Sequence, residues 1–233
     1  MKWIREGETV SFCTNAPARP TCDDAFDRYT PDSCFFAGLL AADGCVSTKN
    51  RITIELKAID ELLLKAFMEF IGLENTIKYR AMPKITQWRG IYAAIGWKNL
   101  SHIRSLEDNF GITKQKSLTL SPPTIHDPDC EFAFFAGLFA GDGHVSLTST
   151  PCINIVTASQ HCSDWLQSFY GRRGIRFHHI LRMKQKSSMH EIKVFSRGAV
   201  SLAAQLARVK NLEIGMARKW RVLQEIAHKQ SLA

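Results

Sequence analysis

Two aspartates lie 99 residues apart (142 − 43) at the same point of a repeated sequence pattern. Asp43 precedes the last glycine of the segment FFAGLLAADG at 35–44, and Asp142 precedes the last glycine of FFAGLFAGDG at 134–143. Both segments are apolar and rich in small residues, a pattern typical of a buried helix. A helix C-terminus carries partial negative charge and disfavours an anion there. A carboxylate at this point in both copies therefore indicates a cation beside it.

The small residues of the two segments predict a close helix pair. Gly38 and Gly137 occupy matching interior positions, and an interior glycine costs a helix about 0.5–1 kcal/mol, so its repetition indicates a packing constraint. Helices with such surfaces can approach backbone to backbone. If they pair in parallel, Asp43 and Asp142 arrive side by side and repel unless a cation or proton lies between them. Oxygen ligands of this kind favour Mg²⁺.

The elements that must position this pair follow the same order around each aspartate. Hydrophobic periodicity and turn residues predict α-β-β-α-β-β-α twice, and hence an α+β fold built by duplication. We expect a first repeat at 32–116 and a second at 130–211, joined by an irregular, proline-containing linker at 117–129. An N-terminal extension occupies 1–31. The remaining segment, 212–233, is predicted to hold an amphipathic helix with no counterpart in the first repeat.

Composition favours a polyanionic partner inside the cell. Thirty Lys and Arg against 22 Asp and Glu give a net charge of +8, which favours a polyanionic partner, and nucleic acid is the usual one. The seven cysteines are odd in number and contain no CxxC pair, so a disulfide framework or zinc ribbon is not expected. We expect a reducing compartment, either an organelle or a microbial cytoplasm. The charged start does not resemble a signal peptide, and no apolar run reaches membrane-spanning length.

The segments 36–44 and 135–143 resemble the LAGLIDADG motif of homing endonucleases, and the resemblance extends over roughly 33–211. It implies a monomer whose two pseudo-symmetric repeats each carry a four-stranded antiparallel sheet, the sheets together forming a saddle over double-stranded DNA. Both copies depart at the sixth motif position, where this chain has Ala41 and Ala140. That position is variable in the family and is not the metal ligand, so the departure is not expected to abolish activity.

The same resemblance implies a site-specific endonuclease that cuts both strands of a long, non-palindromic target by metal-dependent hydrolysis. The last acidic residue of each family motif binds the catalytic metal, which here implies Asp43 and Asp142. Ala42 and Gly141 are the further metal-binding positions that it implies. Mg²⁺ is the expected ion, Mn²⁺ is expected to substitute for it, and Ca²⁺ is expected to bind without supporting cleavage.

Three other residues are expected to assist catalysis. Lys98 and Arg197 each follow the last predicted strand of a repeat, again 99 residues apart (197 − 98). The family places a basic residue near the metal, where preorganised positive charge stabilises the transition state. Gln160 follows the second strand of the second repeat, near which the family often has a polar residue that organises water.

Basic residues on the predicted strands are the expected DNA contacts. Where they recur with period two, they point to one face of a sheet, and major-groove edges are the natural target of such a face. Sequence does not separate contacts to bases from contacts to phosphates. The expected DNA-binding residues are Arg51, Lys78, Arg80, Lys84, Arg89, Arg176, His178, Arg182, Lys184, Lys186 and Lys193.

Two other functions stay open at this point. An intron maturase would use the same fold to bind intron RNA, and a DNA-binding regulator would use it without cleavage. A zinc site at His178, His179 and His190 is not expected, because neighbouring strand residues point to opposite faces and cannot both reach one ion.

Overall fold

The computed structural model describes residues 19–82, 90–114, 116–184 and 187–228. These residues form helices and two antiparallel four-stranded sheets, with strand orders β1-β2-β4-β3 and β5-β6-β8-β7. The strands are β1 (Gly44–Val46), β2 (Ile52–Lys57), β3 (Lys78–Met82), β4 (Gly90–Trp97), β5 (Gly143–Ser146), β6 (Cys152–Thr157), β7 (His178–Lys184) and β8 (Ser187–Phe195). The helices are α1 (Pro31–Asp43), α2 (Glu61–Phe70), α3 (Leu100–Phe110), α4 (Lys116–Thr119), α5 (Pro128–Asp142), α6 (Gln160–Arg172), α7 (Ser196–Leu206), α8 (Lys210–Gly215) and α9 (Ala217–His228).

The predicted duplication is confirmed at the level of topology. Each repeat reads α-β-β-α-β-β-α, from α1 to α3 and from α5 to α7, and the two sheets have the same strand order. The fold is α+β, as expected. The linker prediction is wrong in one respect, because α4 forms a short helix at its start.

The two motif helices begin with the same kind of cap. Thr30 accepts a hydrogen bond from the backbone N–H of Ser33 and Pro31 follows it, while Asp127 caps α5 and Pro128 follows. Proline is favoured in the first helical turn because its missing N–H has no intrahelical partner there. These caps fix where each helix starts, and hence how far it extends before its terminal aspartate.

The motif helices α1 and α5 pack in parallel at the centre of the molecule. A Cβ atom at Gly38 would lie 2.9 Å from the backbone nitrogen of Leu138, and one at Gly137 would lie 2.8 Å from that of Leu39. Real Cβ atoms do not approach backbone this closely, so only glycine permits this crossing. The small-residue prediction is therefore confirmed, and the parallel arrangement brings the two C-termini to one end of the pair.

Each sheet packs one face against helices and leaves the other open. In β2, Ile52, Ile54 and Leu56 are buried while the residues between them are not. In β6, Ile153 and Ile155 are buried in the same way. This alternation is the pattern of a half-buried antiparallel sheet. The open faces carry the polar and basic side chains.

Segments outside the repeats also belong to the core. In the N-terminal extension, Phe26 is fully buried and its ring contacts Phe67, Phe70 and Phe110 at centroid distances of 5.6–6.4 Å. At the other end, Leu223 and Ile226 of α9 are fully buried. The described part of the chain contains no helix with the length and apolar character needed to span a bilayer.

Candidate active site

The chain turns directly from each motif helix into a strand at the two aspartates. Asp43 ends α1 and Asp142 ends α5, and the glycine after each is in an extended conformation with φ near −75° (−79° and −74°). Those glycines are therefore not required for a left-handed turn. A Cβ atom at Gly44 would lie 2.8 Å from the Cα of Leu40, and one at Gly143 would overlap the carbonyl oxygen and the ring of Phe139. Glycine is needed because the strand leaves against the helix it follows.

The carboxylate of Asp43 lies against the end of the other motif helix. A Cβ atom at Gly141 would be 2.8 Å from Oδ2 of Asp43, and it would also overlap the side chain of Ala42. The space between the helix ends holds one methyl group, which Ala42 supplies, so glycine is required at 141. This explains why the motifs differ at this position.

Both aspartates are held in an environment that opposes ionisation. Desolvation raises the pKa of Asp43, and the positive charges of Lys219, Lys116 and Arg218 partly offset it. Desolvation, reinforced by the negative charge of Asp43, raises the pKa of Asp142 to about 6. Each aspartate keeps an exposed edge. The two carboxylates therefore interact with each other and remain accessible from outside.

Two buried lysines lie at the ends of the motif helices. Lys116 Nζ donates hydrogen bonds to the carbonyl oxygens of Ala41 (2.6 Å) and Ala42 (2.9 Å) at the end of α1. Lys219 Nζ donates to those of Phe139 (3.0 Å), Ala140 (2.6 Å) and Gly141 (3.0 Å) at the end of α5. An ammonium group here satisfies helix carbonyls that have no partner within the helix and complements the negative end of the helix dipole.

The two lysines also set the charge around the carboxylates. Both are almost fully buried, at 7% and 5% exposure. Desolvation lowers the pKa of Lys116, and the charges of Asp142 and Asp43 oppose this. Desolvation and the neighbouring Arg218 lower the pKa of Lys219 to about 8, so its ammonium form still predominates at pH 7. The aspartate pair is thus flanked by resident positive charge.

The donor set fits a hard divalent ion only in part. Within the described ranges, no group of three or more His, Cys, Asp or Glu side chains could enclose a metal. Asp43 and Asp142 would supply two carboxylates, and Mg²⁺ commonly binds through one or two carboxylates plus waters and phosphate oxygens. The carbonyl oxygens of Ala42 and Gly141 already accept lysine hydrogen bonds, although a carbonyl keeps a second lone pair. A metal at this site would therefore need phosphate ligands from a bound substrate.

The structure places Lys98 and Arg197 away from the aspartates. Gly44, next to Asp43, is level with Ile95 across the sheet, and Lys98 lies three residues further along, which at about 3.3 Å per residue is roughly 10 Å. Arg197 is an exposed residue in the first turn of α7. The two positions are not equivalent, because Lys98 precedes α3 by two residues whereas Arg197 lies inside α7. Their shared spacing of 99 is a coincidence, and the lysines at the carboxylates are Lys116 and Lys219.

Gln160 lies beyond the cleft that opens beside Asp142. That cleft has a volume of about 210 Å³ and is lined by Lys116, Val156 and Thr157 among others. Gln160 is the first residue of α6, is exposed, and donates from Nε2 to Asp164 Oδ1 at 2.7 Å. The polar side chain that the β6 end presents at the cleft is that of Thr157.

The open face of the first sheet carries the basic residues predicted there. Lys78 and Arg80 point to the same face, as their spacing predicts, and Arg80 pairs with Glu55 at 2.7 Å. The guanidinium of Arg51 lies over Gly96, since a Cβ atom there would be 2.9 Å from its Nε. Arg51, Lys78 and Lys98 line one groove of about 430 Å³. Lys98 thus belongs to the basic sheet face.

The second sheet has a comparable face centred on Glu191. Arg182 donates to Glu191 Oε2 from Nη2 (2.6 Å) and Nε (3.0 Å), and Lys193 lies 3.1 Å from Oε1. His178 packs against Phe195 at 5.4 Å on the same face. Arg176 is exposed just before β7. Of the other predicted contacts, Lys84, Arg89 and Lys186 lie outside the described residues, and Lys184 is described only in its backbone.

The three histidines lie on two opposite faces of the second sheet, as their strand positions predict. His178 faces Phe195, whereas His179 Nε2 and His190 Nδ1 lie 3.1 Å apart on the opposite face. His190 is buried and His179 is exposed. They do not converge on one point.

Sequence reasoning missed Lys116 and Lys219 because they do not share the repeat period. Their separation is 103 (219 − 116), since α8 is inserted before α9 and has no equivalent before α4. The signal that could have found them is a lysine shortly after the last helix of each repeat.

The chain is similar to known proteins in sequence and in structure. The family described as a LAGLIDADG-like domain matches residues 129–199, a segment that contains the second motif and Asp142. Curated protein sequences give no significant match.

Solved structures resemble most of the chain at low sequence identity. The homing endonuclease I-DmoI in complex with DNA and Ca is 11% identical with a TM-score of 0.50, over 82% of this chain and 93% of that one. I-DmoI in complex with DNA and Mn gives 12% and 0.50, over 78% and 99%.

Two other proteins match as well. I-WcaI bound to its DNA recognition sequence is 12% identical with a TM-score of 0.50, over 78% of this chain and 84% of that one. Full-length DUF199/WhiA from Thermatoga maritima is 13% identical with a TM-score of 0.55, over 91% and 67%. Identities this low establish the fold alone. Residues 129–199 are therefore similar to a LAGLIDADG-like domain, within an α+β fold similar to those of I-DmoI, I-WcaI and WhiA.

Proposed function

We propose that this protein is a site-specific endonuclease that binds double-stranded DNA as a monomer and cuts both strands in a divalent-metal-dependent reaction. The observation that carries the proposal is the end of the α1–α5 pair. There, Asp43 and Asp142 lie side by side, with Lys116 and Lys219 donating to the carbonyls beside them. A purely structural helix pair has no need of two mutually repelling carboxylates.

The open sheet faces provide a surface suited to a nucleic-acid substrate. Arg51, Lys78 and Arg80 on one sheet, and Arg182 and Lys193 on the other, present positive charge on the face opposite the helices. Such a surface binds phosphates and can place side chains against base edges in the major groove. The ion pairs to Glu55 and Glu191 hold two of these arginines in fixed orientations.

Asp43 and Asp142 would hold Mg²⁺, or Mn²⁺ in its place, together with phosphate oxygens of the bound DNA. When bound, the metal activates water and stabilises the leaving oxygen in phosphodiester hydrolysis. The chain's own residues do the rest. The aspartates must be ionised to act, and the ammonium groups of Lys116 and Lys219 place positive charge beside them, where it can offset the negative charge that develops on the phosphate oxygens. Preorganised positive charge of this kind is a strong contributor to catalysis.

Each motif aspartate, together with the sheet of its own repeat, forms one half-site. The two half-sites are expected to cut one strand each, and their different surroundings predict an asymmetric target. The residues at the open faces differ, with Thr53, Glu55 and Ala94 on the first sheet and Asn154, Glu191 and Lys193 on the second. A target read by two different surfaces has no reason to be palindromic. The recognised site is therefore expected to be long and asymmetric.

A selection experiment tests the proposal. Purified protein with Mg²⁺ is given a duplex library randomised over more than two helical turns, and cut and bound molecules are sequenced separately. One long, asymmetric cut sequence from the wild type supports the endonuclease. Enrichment of bound DNA without any cut contradicts it and favours a DNA-binding regulator. No enrichment of DNA also contradicts it, and the same selection with RNA then tests the maturase.

A further inference from the structure

The lysine of each repeat is carried by a segment that docks on the other repeat. After the second repeat, Lys219 follows α8, and α8 lies against α2 of the first repeat. A Cβ atom at Gly215 would be 2.8 Å from the Cα of Leu63. In the first repeat, Lys116 begins α4, which packs on α6 of the second repeat. Each lysine is therefore carried by a segment that packs against a helix of the other repeat.

Asp60 anchors the segment that carries Lys219. It is the N-cap residue of α2 and is 2% exposed, yet its carboxylate makes no capping hydrogen bond to its own helix. It accepts instead from Arg218 Nε at 3.0 Å, and Arg218 Nη2 lies at ion-pair distance, 3.0 Å from the same Oδ2. Arg218 is the residue immediately before Lys219. This charge-assisted hydrogen bond to a buried carboxylate restrains the first turn of α9, and with it the direction of the Lys219 stem.

Ser159 anchors the segment that carries Lys116. It is the N-cap residue of α6 and is fully buried. Its Oγ donates to the carbonyl oxygen of Leu120 at 2.6 Å and accepts from the N–H of Cys162 at 3.2 Å. The N–H of Leu120 in turn donates to the carbonyl oxygen of Lys116 at 2.7 Å. The middle helices α2 and α6 thus use the same N-cap position for the same task.

We propose that Asp60 and Ser159 are reciprocal positioning residues, each holding the catalytic lysine of the other repeat. In the part of the chain that the structure describes, the side chains of Asp60 and Ser159 bond to Arg218 and to the Leu120 carbonyl, so each acts through the segment it holds. As a result, neither half of the site is complete within one repeat. The inference rests on the endonuclease proposed above, and it adds that each repeat controls the alignment of one half-site in the other.

The arrangement predicts opposite strand biases for the two variants. Asp60→Asn loosens Lys219 and should slow cleavage of one strand, and Ser159→Ala loosens Lys116 and should slow cleavage of the other. Misplacing a catalytic group by about 1 Å can cost on the order of 100-fold in rate, so we expect slowing of about tenfold or more on the affected strand. General destabilisation would slow both strands equally in both variants.

The test is a strand-resolved cleavage assay with both ends of the target labelled differently. Wild type, Asp60→Asn, Ser159→Ala and the neighbouring control Glu61→Gln are compared. Glu61 is half-buried and accepts from Lys65 (2.7 Å) and from the Tyr79 hydroxyl (2.5 Å). A glutamine oxygen can keep both bonds, so this variant is expected to match the wild type. Arg218→Gln serves as the second variant if Asp60→Asn does not fold, and it must give the same bias. Equal slowing of both strands, or no slowing, overturns the inference.

A second measurement separates this inference from the endonuclease proposal. Hydrogen exchange on the metal-free protein should be faster at 217–223 in Asp60→Asn and at 116–120 in Ser159→Ala, with Glu61→Gln unchanged. If the wild type cuts neither strand, the endonuclease proposal fails, while these exchange rates still test the positioning. Unchanged exchange in both variants overturns the positioning role whatever the cleavage result.

Discussion

Lys219 acts across the helix pair on Asp43. Its hydrogen bonds go to the end of α5, yet the carboxylate that most strongly favours its charged form is Asp43, at the end of α1. Lys116 has the converse arrangement, with hydrogen bonds to α1 and its strongest attraction to Asp142. Each lysine therefore links the two motif helices, and the four groups form one charged cluster.

Replacing either lysine should slow cleavage of one strand much more than cleavage of the other. Lys219→Met and Lys116→Met keep most of the buried stem but remove the charge, and loss of one preorganised group typically costs about 10²–10³ in rate. We expect nicked product to accumulate, with DNA binding retained. Quantifying nicked and linear DNA over time checks this, with the exposed Lys65→Met as control. Wild-type rates in both variants would remove the lysines from the mechanism.

Lys98→Ala should weaken binding without changing the chemical step. Lys98 lies at the end of the first sheet beside Arg51, away from the carboxylates. If it contacts a phosphate, its loss should lower affinity for all sequences and reduce the salt dependence of binding by about one unit of slope. Single-turnover rates at saturating protein should stay within about twofold of wild type. A large loss of that rate would mean that Lys98 acts in the chemical step and not only in binding.

The raised pKa of Asp142 predicts a pH dependence of stability in metal-free protein. Its unfolded pKa is near 3.8 and its folded pKa about 6, so the folded state binds more protons between these values, and stability falls as pH rises through that window. Asp142→Asn should remove this loss. Because the side chain is exposed and screened, we expect the variant to be more stable at pH 7.5 by no more than about 1 kcal/mol, and equal at pH 4.

Denaturant unfolding in EDTA at several pH values measures this difference. Asp43→Asn should act in the same direction, because desolvation also raises the pKa of Asp43. If the difference in unfolding free energy between wild type and Asp142→Asn does not change with pH, then ionising Asp142 costs the folded state little, and the prediction is contradicted.

Gly137→Ala should destabilise the protein strongly through the helix crossing. The added methyl group would press on the backbone of Phe35 and Leu39, and overpacking costs about 1–3 kcal/mol, occasionally more. Gly171→Ala is the matched control. Gly171 lies in helix α6 with nothing within 4 Å of the added Cβ, so this change should be neutral or stabilising by up to about 1 kcal/mol. Equal thermal stability of the two variants would contradict the close crossing.

The repeat pattern was readable from sequence because it depends on local chemistry. Glycine at 38 and 137 and the alternating apolar residues of the strands each determine structure over a few positions, so helix, strand and turn order could be predicted. The meeting of Asp43 and Asp142 could be predicted as well, because two parallel helices of matched sequence bring matched residues together. These features needed no knowledge of distant contacts.

The basic partners could not be found in the same way. A fixed period selects Lys98 and Arg197, but insertions of different length lie before α3 and α7 and before α4 and α9, so the period does not identify equivalent positions. Lys116 and Lys219 reach the site only because their segments cross to the other repeat. Contacts of that kind depend on packing between distant parts of the chain, which neither spacing nor composition encodes.

The most direct test of the account is strand-resolved cleavage of the selected target by wild type, Asp43→Asn and Asp142→Asn, with Mg²⁺ and with EDTA. We expect the wild type to cut both strands only with metal, and each variant to lose double-strand cleavage while still binding the target. Double-strand cleavage at the wild-type rate by either variant, or metal-independent cutting by the wild type, would contradict a two-aspartate active site.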